Sequence, residues 1–312
     1  MDGSEGSRQA LDWAFEEAKV HTSLVEAVTV WRSAYDAPRD FDVSYQVADE
    51  TLAQRARRLL AGALAPVADA HPNVKVESAV LEGDPAEVLC RRAAGADVLV
   101  VGSRGHGTFA GLLLGSVSSK CAHHSAVPVV IVPARPRGHS ASDGTGGTDG
   151  TGATGRVVVG VDGSSGSLRA LEWALGECDA RGATAVALMA WRGFEADAIA
   201  ADALISEVTT SPTLTLYDRG TAEDAAQRLE RAVAQARGAQ GAQGGRVTVE
   251  QLAVEGEPAE VLCQHAADAD LLVVGSRGRG TFTELALGSV SAKCARHSPR
   301  PVVIVPAKRA GP

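Results

Sequence analysis

From Arg156 onward, short apolar runs alternate with longer segments of helical period. Val157-Val158-Val159 is an apolar run closed by Gly160-Val161-Asp162-Gly163. Leu168, Leu171, Ala174 and Leu175 then recur at helical spacing. Thr184 to Ala190 predicts a strand, Ala225 to Ala236 a helix, and Val247 to Ala253 a strand. Glu257-Pro258-Ala259-Glu260 opens a helix, with proline in the first turn, where its missing N–H costs no hydrogen bond. Asp270 to Val274 is apolar after its first residue, as in a strand buried on both faces. Gly288 or Ser289 starts another helix, and Val302 to Val305 is the last strand. This alternation predicts a parallel, doubly wound, five-stranded α/β sheet with helices on both faces.

The pattern occurs twice, which fixes the architecture. MDGSEGSRQALDWAFEEA from Met1 matches VDGSSGSLRALEWALGEC from Val161. LEGDPAEVLC from Leu81 matches VEGEPAEVLC from Val254, and PVVIVPA recurs from Pro128 and from Pro301. The second copy carries an insertion between Trp191 and Gln227. Residues 1–134 and 156–308 are therefore two domains, and the Gly/Ser/Thr/Asp-rich stretch 135–155 is a flexible linker. The expectation is two tandem Rossmann-like parallel sheets, the first lacking its first strand, since nothing before Asp2 matches Arg156 to Val161. Met1 stands where the second copy has Val161, and GTG is both a start codon and a valine codon. The further expectation is that the reading frame begins upstream and that Met1 is an internal valine. Without the strand, inner sheet edges of the first domain are left unpaired.

Composition narrows the classes of function. The 312 residues are 45% apolar and 4% aromatic, so small aliphatic side chains carry the packing. A net charge of -8 with pI near 5.5 argues against a nucleic-acid partner. No apolar run is long enough for a membrane span. The five cysteines form no CxxC, which disfavours zinc. The reading is of a cytoplasmic protein without membrane or nucleic-acid partners.

The chemistry lies in the glycines. Gly102-Ser-Arg-Gly105 leads to Gly115-Ser116, and Gly275-Ser-Arg-Gly278 leads over an equal gap to Gly288-Ser289. Each motif follows an apolar strand and precedes a helix. Glycines let backbone N–H groups approach a phosphate, and helix N-termini carry partial positive charge. Asp162, and Asp2 as its match, sits where it can hold a ribose hydroxyl or a metal ion. The motif is neither a GxxxxGK[ST] loop nor a GxGxxG after the first strand.

In VDGS, VVGSRG, GSVS followed by lysine, and PVVIVP, the chain resembles the tandem form of the universal stress protein family. The resemblance implies ATP as ligand in the branch carrying GxxG-x9-G[ST]. It implies that Asp162 contacts ribose or metal, Mg2+ being the candidate, and that Ala190 offers backbone groups to adenine. Gly275, Gly278, Gly288, Ser289 and Val290 would hold the phosphates. In the first copy the counterparts are Asp2, Val30, Gly102, Gly105, Gly115, Ser116 and Val117, with Asp2 unanchored for want of its strand. The resemblance also implies pairing of Val129 to Val132 with Val302 to Val305 as an intrachain pseudo-dimer, with a homodimer of tandems as an option. It implies a nucleotide-dependent regulator or sensor in the stress response. A slow ATPase and a structural dimer module that binds no nucleotide are the alternatives.

Other residues weigh less. Trp13, Trp31, Trp173 and Trp191 are read as packing groups, with ligand stacking left open for Trp31 and Trp191. Cys90, Cys121, Cys263 and Cys294 are read as small hydrophobes, and Cys178 has no match in the first copy. His124 and His297 are read as surface or cap residues. His106 and its counterpart Arg279 flank the glycine loop as modest electrostatic neighbours. Lys120 and Lys293 face either the ligand or solvent.

Overall fold

The structure is a computed structural model describing residues 1–33, 45–105, 114–134, 154–193, 221–241, 246–278 and 287–307. The linker core, the insertion, His106 and Arg279 lie outside the described residues. The described residues fall into two compact units, 1–134 and 154–307.

The first unit runs α1 (Glu5–His21), β1 (Val25–Trp31), α2 (Tyr45–Ala70), β2 (Val76–Glu82), α3 (Pro85–Ala93), β3 (Leu99–Gly102), α4 (Ser116–His124) and β4 (Val129–Val132). The second runs β5 (Arg156–Gly160), α5 (Ser165–Arg181), β6 (Thr184–Trp191), α6 (Ala222–Gln240), β7 (Val249–Glu255), α7 (Pro258–Ala266), β8 (Leu271–Gly275), α8 (Ser289–His297) and β9 (Val302–Val305). The predicted elements of this second copy are all present. Helix α6 begins earlier than its apolar period suggests because Thr221 and Asp224 form a reciprocal capping box. Strand β7 ends later because Glu255 still pairs with Trp191.

The second unit is a parallel sheet in the order β9-β8-β5-β6-β7. Strand β5 is central, and Val158 pairs with Val186 of β6 and with Leu272 of β8. It is buried on both faces, with Val157 and Val159 at 0% exposure. That burial is what its unbroken valine run requires.

The first unit has no described strand between β1 and β3. Strand β1 pairs with β2, and β3 pairs with β4, both in parallel. The gap changes burial on either side of it. Val28 and Val100 are half-buried, whereas their counterparts Leu188 and Val273 are fully buried. One bond of the absent strand survives. The Met1 ammonium donates to the Val28 carbonyl, as the Val161 N–H donates to the Leu188 carbonyl at 2.8 Å. Burial holds that ammonium below its ordinary pKa, against the opposing charge of Asp2. Packing from α1 supports β1: Leu11, Phe15 and Ala18 join Val25, Ala27 and Leu60 in one apolar cluster.

One acidic residue per unit ties helix to helix. Asp84 caps α3 through the N–H groups of Ala86 and Glu87, and also pairs with Arg32 and, at 3.7 Å, with Lys120 of α4. Glu257 caps α7 through Ala259 and Glu260 while Lys293 of α8 donates to it at 2.8 Å. Both carboxyls lie below the usual range. At Asp84 the main cause is the Glu87 N–H. At Glu257 burial pushes upward, but the Lys293 hydrogen bond and the cap N–H groups outweigh it.

Two outcomes follow. Amides of β1 should exchange with solvent faster than those of β6, as read by hydrogen-exchange mass spectrometry of the whole chain; equal protection would contradict the open edge. A carboxylate with a lowered folded pKa stabilises fully above its unfolded pKa, near 4 for these groups, and stops doing so as pH falls through the folded value. Glu257→Ala should therefore cost about 1 kcal/mol in urea unfolding at neutral pH and progressively less in acid. A difference independent of pH would refute that role.

Candidate functional site

The loop after β8 is held by backbone. The Ser276 N–H continues the ladder to the Val305 carbonyl at 2.7 Å. Beyond it the chain crosses the first turn of α5 so closely that side chains are excluded. A Cβ on Gly166 would collide with the Arg277 carbonyl oxygen, and one on Gly275 would stand 2.7 Å from the Gly166 carbonyl carbon. At Gly278 a Cβ would lie 2.5 Å from Asp162 Oδ2. The glycine loop and the carboxylate expected from the sequence are thus neighbours.

The returning chain is pinned to the same strand end. The Gly288 N–H donates to the Ser276 carbonyl at 2.9 Å, and the buried Ser291 hydroxyl donates to the Gly275 carbonyl at 2.6 Å. These bonds place the start of α8 beside the loop. Ser289 is exposed there and Val290 is half-buried.

The helix starts differ in one respect. Helices α1, α3, α5, α6 and α7 begin with a side chain accepting from their first amides: Ser4, Asp84, Ser164, Thr221 and Glu257 respectively. Helices α4 and α8 begin at Gly115 and Gly288, and among the described residues no side chain caps them. The first-turn N–H groups of a helix have no intrahelical acceptor and carry the positive end of its dipole. Leaving them uncovered next to a glycine loop suits an anion.

Asp162 is oriented by its own turn. Its Oδ1 accepts from the Ser164 N–H at 2.9 Å, while Oδ2 faces Gly278. Ala190 stands near the end of β6, half-buried and paired with Val254.

The first unit repeats this arrangement. A Cβ on Gly102 would lie 2.5 Å from the Gly6 carbonyl oxygen, and one on Gly105 would lie 2.5 Å from Asp2 Oδ2. The Gly115 N–H donates to the Ser103 carbonyl at 2.7 Å, and Ser118 Oγ donates to the Gly102 carbonyl at 2.6 Å. Ser116 is exposed and Val117 half-buried, while Val30 pairs with Leu81 at the end of β1. The sequence expectation that Asp2 is unanchored is corrected here. Asp2 Oδ1 accepts from the Ser4 N–H at 2.9 Å and from the Ser4 hydroxyl at 2.6 Å. Burial would raise its pKa, but hydrogen bonds from Ser4 and Ser7 outweigh that and keep it low. The anchor is the turn that opens α1, and it needs no preceding strand.

Sequence reasoning missed Gly6, Gly166, Ser118 and Ser291, which fix the loop rather than face its open side. The doubled DGSxGS and GSVS stretches held the signal. Lys120 and Lys293, read as facing ligand or solvent, lie on a solvated face and there reach across to Asp84 and Glu257. Trp31 and Trp191 are half-buried, and the Trp191 indole N–H has no acceptor among the described residues.

A family model described as the universal stress protein family matches residues 1–133 and 154–306. Universal stress protein Rv1996 of Mycobacterium tuberculosis is 30% identical over 319 residues, covering 97% of this chain and 92% of that protein. Universal stress protein Rv2623 of the same organism is 29% identical over 318 residues, covering 97% of this chain and 94% of its own length. A crystal structure of a universal stress protein from Archaeoglobus fulgidus is alike in fold, with TM-score 0.65, 23% identity, and coverage of 99% and 97% of the two chains. Matched along both copies by the family model, and over nearly its whole length by these relatives, the chain belongs to the universal stress protein family.

Proposed function

We propose that each unit binds an adenine nucleotide, with ATP as the ligand, and that occupancy makes the protein a nucleotide-dependent regulator in the stress response. The observation that carries this reading is the pairing of glycines with no room for a Cβ and an uncapped helix start, once in each unit. In the second unit the amides of Ser289 and Val290, with the backbone of Gly275, Gly278 and Gly288, would receive the phosphates. Asp162 would hold a ribose hydroxyl or a Mg2+ ion, and the Ala190 backbone would meet the base. Gly102, Gly105, Gly115, Ser116, Val117, Asp2 and Val30 take the same roles in the first unit.

The residues fit such a ligand on physical grounds. The first-turn amides of α4 and α8 need an acceptor, and a phosphate oxygen supplies one. A carboxylate beside the loop would repel phosphate unless a cation or hydroxyl stands between them, which suits a magnesium nucleotide. Magnesium, when bound, would offset phosphate charge; the chain's own contribution is to fix the loop and orient the Asp162 oxygens.

Gly278→Ala tests the reading where loop and carboxylate meet, because the added methyl would press on Asp162 Oδ2. By calorimetry with MgATP, the substitution should weaken one class of sites at least tenfold, about 1.4 kcal/mol. Joined with Gly105→Ala, it should remove saturable binding. Unchanged affinity in the double variant, with its fold retained, would sink the proposal.

A further inference from the structure

The turn that carries Asp162 is also held from outside its own helix. Arg228, in the second turn of α6, donates from Nη2 to the Asp162 carbonyl at 3.4 Å. The Asp162 N–H donates to the Ser167 hydroxyl at 3.3 Å, and Oδ1 accepts from the Ser164 N–H. Both backbone groups of Asp162 and one carboxylate oxygen are thus tied down. The other oxygen, Oδ2, is left on the Gly278 side.

Packing brings the arginine to this place. Helix α6 lies on α5 and β6. Ala225 and Ala232, three and four residues from Arg228 on the same helix face, are buried there. Arg228 itself is half-buried. One turn before it, Asp224 is fixed by the capping box with Thr221. The Thr221 N–H is the main cause that keeps the Asp224 carboxyl low, and the Arg228 charge adds to it. The first unit differs. The repeat sets Arg55 of α2 against Arg228 and Thr51 against Asp224. Arg55 is exposed and has no side-chain partner among the described residues.

We propose that Arg228 is a positioning residue of the second nucleotide site, holding the Asp162 turn so that Oδ2 meets the ribose hydroxyl or Mg2+ of the ligand. This rests on the nucleotide reading above and makes the two sites unequal, the second being the tighter. The guanidinium contributes in two ways. It fixes the carbonyl through a charge-assisted hydrogen bond. It also sets a positive charge next to a carboxylate that must share its surroundings with phosphate. One N–H and one charge perform both roles, so a lysine with sufficient reach can stand in for the arginine.

The test uses the full chain carrying Gly105→Ala, in which the second site is the one left intact. There Arg228→Gln should weaken MgATP binding about tenfold by calorimetry, as loss of a charged hydrogen bond does. Arg228→Lys should restore most of the affinity. Arg55→Gln, made in the Gly278→Ala chain, should leave the first site unchanged. Without nucleotide, the Ser164 amide should exchange faster in Arg228→Gln than in its parent, because the turn it bonds to is released. Affinity retained in Arg228→Gln, or Ser164 exchange unmoved, would overturn the positioning role and leave the nucleotide reading standing. Equal weakening in Arg228→Lys would assign the effect to packing of the arginine and overturn it too. A Gly105→Ala chain with Arg228 in place that binds no MgATP would instead overturn the nucleotide reading, and this inference with it.

Discussion

The structure around the site depends on one close approach, in which the loop leaving β8 lies backbone to backbone against the first turn of α5. Gly166 and Gly275 have no room for a side chain, and the Arg277 carbonyl rests on the helix start. This contact brings Asp162 beside Gly278, although the two arise from distant parts of the sequence. It also sets where the chain must return, since Gly288 and Ser291 bond back to the same strand end. The position of α8 and of its uncovered amides follows from those bonds. In the first unit Gly6, Gly102 and Ser118 repeat the arrangement.

The same contact holds the site end of the first unit, where no strand is described between β1 and β3. Strand β5 accounts for much of the core of the second unit, and without a counterpart Val28 and Val100 lose burial. The loop, however, leans on α1 rather than on the strand. Asp2 is held by Ser4, and its Oδ2 lies where a side chain on Gly105 would stand. Stability and site geometry are thus partly separable. Sheet completeness sets the burial of the valines, and the helix start sets the geometry of the loop.

Much of this was legible in the residues. The valine runs placed the strands within a residue or two, and their alternation with helices gave the parallel sheet. The glycines and Asp162 were readable because their spacing is tied to a strand end and a helix start. Side-chain pairing was less readable. Nothing in a linear pattern tells that Lys293 turns to Glu257, since that depends on how two helices pack. The anchor of Asp2 was unreadable for a related reason: it is a hydrogen bond from Ser4 within a turn, not a feature of the strand pattern.

The central claim is that the uncapped starts of α4 and α8 receive phosphate. The most direct measurement is residue-resolved amide exchange of the full chain with and without MgATP. The account predicts slowed exchange at Ser116, Val117, Ser289 and Val290, with the starts of α3 and α7 unchanged because Asp84 and Glu257 already cover them. Exchange at the α4 and α8 starts that does not respond to saturating nucleotide would contradict it.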